Sequence, residues 1–356
     1  MAIKKISISQ FIEQAGEQPV IDVRSNGEYN HAHIPGAYSL PLFNDEERKI
    51  VGTAYKQKGK QQAIKLGLDF FGVKMKGMID EAEKISSDYK SSVTSSAYRN
   101  NAIVVHCWRG GMRSAGVAWL LDLYGFDVYT IIGGYKAYRN WVLQQFEKEY
   151  QLTILGGYTG SGKTDVLKGL QNNNKPVIDL EGLANHRGSA FGSLGEQPSQ
   201  EMFENLLAQE LQLQQKHGSP IWIEDESQRI GQINIPHLFW KQMRSMPIQF
   251  LEIPFENRLD YLLKSYGKIN KEALVNAIIR IQKRLGPLET KTAIGFLVEE
   301  NYKACFEILL NYYDKMYTKG LQNRENLPQL LNKIPCTFVD ANSNTEKLIS
   351  CATLNA

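Results

Sequence analysis

The stretch Gly157-Tyr158-Thr159-Gly160-Ser161-Gly162-Lys163-Thr164 narrows the folds open to this chain more than any other. It follows the apolar run Leu152-Thr153-Ile154-Leu155 and precedes a helical pattern through Leu170. Gly-x-x-x-x-Gly-Lys-Thr between a strand and a helix lets successive backbone N–H groups wrap a phosphate chain while lysine neutralises its terminal charge. The threonine hydroxyl is placed to hold Mg²⁺. Gly157, Gly160, Ser161, Gly162, Lys163 and Thr164 are therefore the expected phosphate-binding residues. Further apolar runs, Val177-Ile178, Ile221-Trp222-Ile223, Ile248-Gln249-Phe250-Leu251 and Thr337-Phe338-Val339-Asp340, complete a parallel sheet of about five strands.

Val177-Ile178 runs into Asp179, and Ile221-Trp222-Ile223 into the trio Glu224-Asp225-Glu226. One carboxylate should stand at the mouth of the sheet and orient Mg²⁺ or water, and the reading favours Asp225. The polar, glycine-rich segment 179–192 contains His186 and Arg187, which beside a phosphate cradle could clamp a substrate anion; a histidine paired for structure is the other reading. Residues from about 256 to 325 are helical in pattern, with Arg280, Lys283 and Arg284 at helical spacing and the interleaved tyrosines read as core.

The second landmark is His106-Cys107-Trp108-Arg109-Gly110-Gly111-Met112-Arg113-Ser114, between the apolar run Ala102-Ile103-Val104-Val105 and another helical pattern. A loop of this form aims backbone N–H groups and a helix N-terminus at one point, and the anion stabilised there can be the Cys107 thiolate. Arg109 and Arg113 are expected to add positive charge, which makes Cys107, Arg109 and Arg113 the candidate catalytic group. With Pro19-Val20-Ile21-Asp22 and the strand from Asp127 to Ile132, this segment implies a first α/β unit over residues 1–150 and a second over 151–356. Residues 44–100 form a helical insertion in the first unit, with a serine-rich loop expected at 86–96. Its lysines, Lys56, Lys58, Lys60, Lys65, Lys74 and Lys76, are either a solvated face or a strip for a phosphate backbone.

A chain of 356 residues with net charge +3 does not declare nucleic-acid binding by charge alone. The four cysteines show neither zinc spacing nor a paired framework, so reduced thiols and no structural metal are expected. No apolar run is long enough to span a bilayer and the N-terminus lacks a signal-peptide pattern, which points to the cytoplasm and to no membrane partner.

Asp22-Val23-Arg24, Glu28-Tyr29, His33-Ile34-Pro35-Gly36-Ala37 and the Cys107 loop together resemble a rhodanese domain, in which Asp22 and Arg24 would be structural. Joined to the Gly157–Thr164 loop, to the 179–192 segment and to Glu224-Asp225-Glu226-Ser227-Gln228-Arg229-Ile230-Gly231, that domain resembles the bacterial tRNA 2-selenouridine synthases over almost the whole chain. The resemblance implies an N-terminal rhodanese-like parallel-sheet domain and a C-terminal P-loop NTPase-like domain with a helical insertion. It also implies exchange of sulfur for selenium in wobble 2-thiouridine of tRNA, through an S-geranyl intermediate, with geranyl diphosphate and selenophosphate as substrates. No tightly bound cofactor is implied, Cys107 would carry selenium as a perselenide, and Mg²⁺ could accompany the phosphates.

The residues themselves leave choices open. A phosphate cradle reads phosphates, so ATP competes with the prenyl diphosphate that the resemblance favours. The thiol loop accepts sulfur as well as selenium. Cys107 followed by Arg113 also fits a cysteine-dependent phosphatase, and a nucleotide-gated sulfur carrier is a non-catalytic alternative.

Overall fold

The computed structural model describes residues 3–14, 17–92, 101–186, 195–266 and 271–354. The chain forms two compact units, Met1–Gln144 and Gln145–Ala356.

Strands β1 (Lys4–Ile6), β2 (Val20–Asp22), β3 (Tyr38–Ser39), β4 (Ala102–His106) and β5 (Asp127–Ile131) of the first unit pair in the order β1-β5-β4-β2-β3, every pair parallel. A strand buried on both faces needs apolar residues throughout, and all five residues of β4 are buried. Short helices α1 (Ile8–Glu13) and α2 (Asn26–His31) lie between the early strands, and α6 (Met112–Tyr124) and α7 (Gly134–Gln145) follow β4 and β5. Helix α6 packs Val117 and Leu121 into a core with Ile21, Ile103, Val105 and Val128. It stops at Gly125, whose φ of 117° suits a residue without a side chain. Beneath the thiol loop Arg24 and Asp22, both fully buried, form a 2.6 Å ion pair, and the Arg24 guanidinium lies 3.8 Å from the centre of the Tyr135 ring.

The insertion is helical: α3 (Asp45–Lys58), α4 (Lys60–Gly72) and α5 (Met75–Ser92). Asn44 and Glu47 close a capping box on α3, with acids in its first turn and Lys56 and Lys58 in its last, as the helix dipole favours. The expected loop over residues 86–96 is corrected as far as Ser92. Met78, Ala82 and Ile85 bury one face of α5 at helical spacing and carry its serines along on the solvent side. Residues 93–96 fall outside the described residues.

In the second unit β6 (Leu152–Gly157), β7 (Val177–Ile178), β8 (Ile221–Glu224), β11 (Ile248–Glu252) and β12 (Leu331–Pro335) form a parallel sheet in the order β12-β11-β6-β8-β7. A small antiparallel pair, β9 (Arg229–Ile230) and β10 (Ile233–Asn234), stands apart from it. From β6 the chain builds first to one side and then to the other, so the crevice at the carboxyl end of β6 is a switch point of the kind where ligands bind. Helices α8 (Lys163–Asn172), α9 (Leu180–Leu183), α10 (Gln200–Gln214) and α11 (His237–Arg244) connect these strands. Between β11 and β12 lie α12 (Phe255–Tyr266), α13 (Lys271–Leu285), α14 (Pro287–Val298) and α15 (Tyr302–Gln322), which share their own core around Leu259, Ile278, Leu297 and Phe306. The short α16 (Leu327–Leu330) precedes β12, and α17 (Ala341–Leu354) packs on α8.

The last strand is therefore Leu331–Pro335 and not residues 337–340. Those residues run past the phosphate loop instead: a Cβ added to Gly162 would lie 2.7 Å from Val339 Cγ1, and the Asp340 carboxylate accepts the Ser343 N–H at the start of α17.

Candidate active sites: a thiol cup and a phosphate cradle

β4 delivers Cys107 to the carboxyl edge of the first sheet, and the five-residue loop ending at Gly111 turns directly into α6. The turn after β5 grips that loop. Tyr135 N–H donates to Cys107 O and Lys136 N–H to Trp108 O, each at 2.9 Å. At Gly134 (φ 57°) the approach is close enough that a Cβ would fall 2.2 Å from Cys107 O and 2.5 Å from Gly110 N.

Cys107 is 3% exposed, and its sulfur lies 3.2 Å from Ser114 Oγ. Burial acts to raise this thiol, but the Ser114 hydroxyl and the backbone N–H groups of Ser114, Arg109 and Gly111 face the sulfur and hold its pKa below the ordinary value. The two arginines are not the cause. Arg113 is drawn aside by a 2.7 Å ion pair to Glu28, which also pairs with Arg48 at 2.9 Å, and Arg109 is exposed to solvent at the rim. Dipoles of the loop, rather than fixed charges, stabilise the thiolate. Ser114 went unassigned in the sequence, although its place in the first turn of the following helix is a usable signal.

In the second unit the glycines of the cradle are required by shape. Gly157, Gly160 and Gly162 all have positive φ, and Cβ atoms on them would fall 2.6 Å from Ser161 Oγ, 2.9 Å from Leu262 Cγ and 2.7 Å from Val339 Cγ1. Lys163 Nζ donates to Gly157 O at 2.9 Å. Arg258 braces the loop from the helical insertion, donating to Thr159 O at 3.0 Å while held on both carboxylate oxygens of Asp314.

Asp225, which with Glu224 and Glu226 lines the cavity at the cradle, has its carboxylate engaged within the protein. Its carboxylate is paired with Arg324 and accepts the Tyr317 hydroxyl at 2.6 Å, and that hydroxyl in turn accepts the Gly157 N–H. Asp179 is likewise occupied, capping α9 through a 2.8 Å bond from the Gly182 N–H. The acids gathered at the cradle are Glu181, Glu224 and Glu226, whose nearest oxygens lie within 4.8 Å of one another. Thr164 Oγ1 donates to Glu181 at 3.4 Å. Burial, then the neighbouring carboxylate of Glu181, pushes Glu224 well above the usual range and Glu226 up to about 8. The spacing was the signal for two of them: Glu224 and Glu226 are two apart, the period that puts side chains of an extended segment on one side. Glu181 arrives from a separate loop. Three crowded oxygen donors beside a threonine hydroxyl fit a hard divalent cation such as Mg²⁺, which would relieve their mutual repulsion.

The cradle opens into a cavity of about 1510 Å³ whose lining includes His186, Arg280 and Arg284 of α13, and Tyr312, Tyr313 and Met316 of α15. Burial, reinforced by the Arg280 charge, lowers the pKa of His186 and favours its neutral form. Arg187 lies outside the described residues. Among the described residues no helix is long and apolar enough to cross a membrane.

A thiol cup on one parallel sheet and a phosphate cradle on another define a chain that joins a rhodanese-like unit to a P-loop unit. Residues 7–140 match the rhodanese-like domain family, and residues 150–333 match the family described as the tRNA 2-selenouridine synthase AAA domain. The chain is 37% identical to the tRNA 2-selenouridine synthase of Sulfurovum sp. (strain NBC37-1) and 40% identical to that of Pseudomonas syringae pv. tomato (strain ATCC BAA-871 / DC3000); each match spans 84% of this chain and 87% of the relative. The enzyme of the same name from Bdellovibrio bacteriovorus is 35% identical over 86% of this chain and 89% of its own length. The chain belongs to the tRNA 2-selenouridine synthase family and is a transferase.

Proposed function

We propose that the chain replaces the sulfur of wobble 2-thiouridine in tRNA by selenium, in two steps that use its two sites. In the first, the thiocarbonyl sulfur attacks C1 of geranyl diphosphate, the C1–O bond breaks, diphosphate leaves and the base loses its N3 proton. Gly160, Gly162, Lys163 and Thr164 would hold the diphosphate, and the mixed apolar and basic lining of the cavity suits a prenyl donor. Glu181, Glu224, Glu226 and Thr164 would hold Mg²⁺, which would supply positive charge to the departing diphosphate. In the second step, which we place at the Cys107 cup, the selenide-level selenium of selenophosphate attacks C2, the C2–S bond breaks and geranylthiolate, a better leaving group than the unalkylated sulfur, departs with a proton. Water then takes the phosphoryl group as the Se–P bond breaks, releasing phosphate, and no redox partner is needed.

The observation that carries this reading is one chain that pairs a thiol held in a cup of N–H donors with a phosphate cradle backed by clustered carboxylates. Arg113, which a phosphatase loop would need over its substrate, is bound to Glu28 and does not favour phosphate chemistry at Cys107. The test is nucleoside mass spectrometry of thiolated tRNA after incubation with the purified chain, geranyl diphosphate and selenophosphate. Cys107→Ala should let geranylated nucleoside accumulate without selenation, and Lys163→Ala should stop geranylation. Loss of both products in the Cys107 variant would overturn the division of labour.

A further inference from the structure

Helices α3 and α4 are joined by the single residue Gly59 (φ 86°). They run side by side: a Cβ on Gly67, eight residues after that turn, would contact Val51, eight residues before it. The pair is an antiparallel arm, and the 14 residues of α3 give it a length of about 21 Å at 1.5 Å per residue.

From residue 48 to residue 68 the arm has six basic residues and no acidic one. Arg48 is engaged at the foot, on Glu28. The other five, Lys49, Lys56, Lys58, Lys60 and Lys65, are exposed, and among the described residues none reaches an acidic partner. A helix face that is merely solvated mixes signs, as α5 does with Asp80, Glu81, Glu83 and Lys84. Away from the acids at its foot, Asp45, Glu46, Glu47 and Asp69, the arm instead presents one sign, densest at its tip.

The foot of the arm is at the thiol cup. Glu28 accepts from Arg48 in the first turn of α3 and from Arg113 in the first turn of α6, which begins directly after the Cys107 loop. At the other helix, the Phe71 ring of α4 lies 3.8 Å from a Cβ built on Gly116 of α6.

We infer that the α3–α4 arm is a contact surface for the RNA backbone, whose lysines hold tRNA phosphates while a nucleotide of the same molecule is presented at Cys107. The inference rests on the tRNA reading given above. Lysines on flexible stems bind phosphates without reading sequence and set the register of a nucleic acid on its enzyme. Tyr55, Gln57, Gln61 and Gln62, exposed among them, add a ring and amide donors suited to sugars and bases. An anionic lipid surface is the competing ligand for such a patch, but it also needs apolar side chains to insert. At the tip, residues 53–62, Tyr55 is the one exposed large apolar side chain; the exposed Ile50, Ile64 and Leu68 lie nearer the foot, away from Lys56, Lys58 and Lys60.

The test uses the full chain with Lys56→Glu, Lys58→Glu and Lys60→Glu combined, and reads tRNA affinity by fluorescence anisotropy across a salt series. The triple variant should bind roughly ten-fold or more weakly, and the slope of log Kd against log salt should fall by about two to three. The same lysines changed to Gln should give a smaller effect in the same direction. Lys84→Glu with Lys90→Glu on α5 should leave the affinity within about two-fold, since those residues lie off the proposed contact surface. The rate at which iodoacetamide alkylates Cys107 should be unchanged in all three, which shows the unit intact. Wild-type binding matched by the triple variant in both affinity and slope would overturn the inference, as would loss of binding to phosphatidylglycerol vesicles with tRNA binding intact. A wild-type chain that binds no tRNA at any salt would overturn the tRNA reading itself, and the arm's role with it.

Discussion

Ser114 Oγ stands 3.2 Å from the sulfur of Cys107 and 3.1 Å from Gly111 O, so its single proton can turn from the carbonyl to the sulfur when the thiolate forms. Replacing Ser114 by Ala removes a donor that favours the thiolate. The thiol titration should move upward, and alkylation of Cys107 by iodoacetamide at a fixed pH below its midpoint should slow about ten-fold, the effect of one charge-assisted hydrogen bond. A pH profile of the alkylation rate checks this, and an unchanged midpoint would assign the stabilisation to the backbone alone.

Gly134→Ala tests the clasp between two turns. The new Cβ would collide with Cys107 O and Gly110 N at a backbone φ of 57°, and the first unit should lose about 3 kcal/mol of stability. Urea denaturation followed by the fluorescence of Trp108 and its neighbours measures the loss. Gly111→Ala, with nothing within 4 Å of its Cβ, serves as the mild control.

The acids at the cradle predict a pH dependence with a definite sign. Glu226 has a folded pKa of about 8, above its ordinary 4.5, so the folded chain binds the extra proton between those values. Stability from this group is fully present below the unfolded pKa and is lost as pH rises through the folded one. In EDTA the melting temperature should therefore fall between pH 5 and pH 8, Glu226→Gln should flatten the decline, and millimolar Mg²⁺ should reverse it. A melting temperature at pH 8 indifferent to Mg²⁺ would remove the cation from this cluster.

Lys163→Ala should separate binding from folding. The ammonium makes a single bond to Gly157 O, so the melting temperature should change little, whereas the Kd for geranyl diphosphate should rise by about 100-fold as a charged contact of about 2.7 kcal/mol is lost. Calorimetric titration with geranyl diphosphate, inorganic diphosphate and ATP in parallel also ranks the ligands of the cradle.

Much of this architecture was legible because particular residues have few alternatives. Gly157, Gly160 and Gly162 mark positions of positive φ, and the buried run Ala102-Ile103-Val104-Val105 has no solvent face to show. Leu331–Pro335 was hidden because it is an edge strand bonded only to β11, and its Asn, Lys and Pro lack the apolar pattern that Thr337-Phe338-Val339 imitates nearby. The partners of Arg113 and Asp225 were out of reach for a different reason. Arg113 and Asp225 are claimed by groups that only the folded chain brings near, Glu28 lying 85 residues from Arg113 and Arg324 lying 99 from Asp225, whereas Asp179 is taken by a local cap on Gly182, three residues away.

The buried pair of Arg24 and Asp22 has a consequence for how the sulfur behaves in solution. Against its burial, the Arg24 guanidinium bonded to it holds the Asp22 carboxyl below the usual range, while burial drives His106 toward its neutral form. The floor of the cup thus keeps one protonation pattern across the neutral range. Cys107 should show a single-proton curve there, free of the second inflection that a nearby imidazolium would impose.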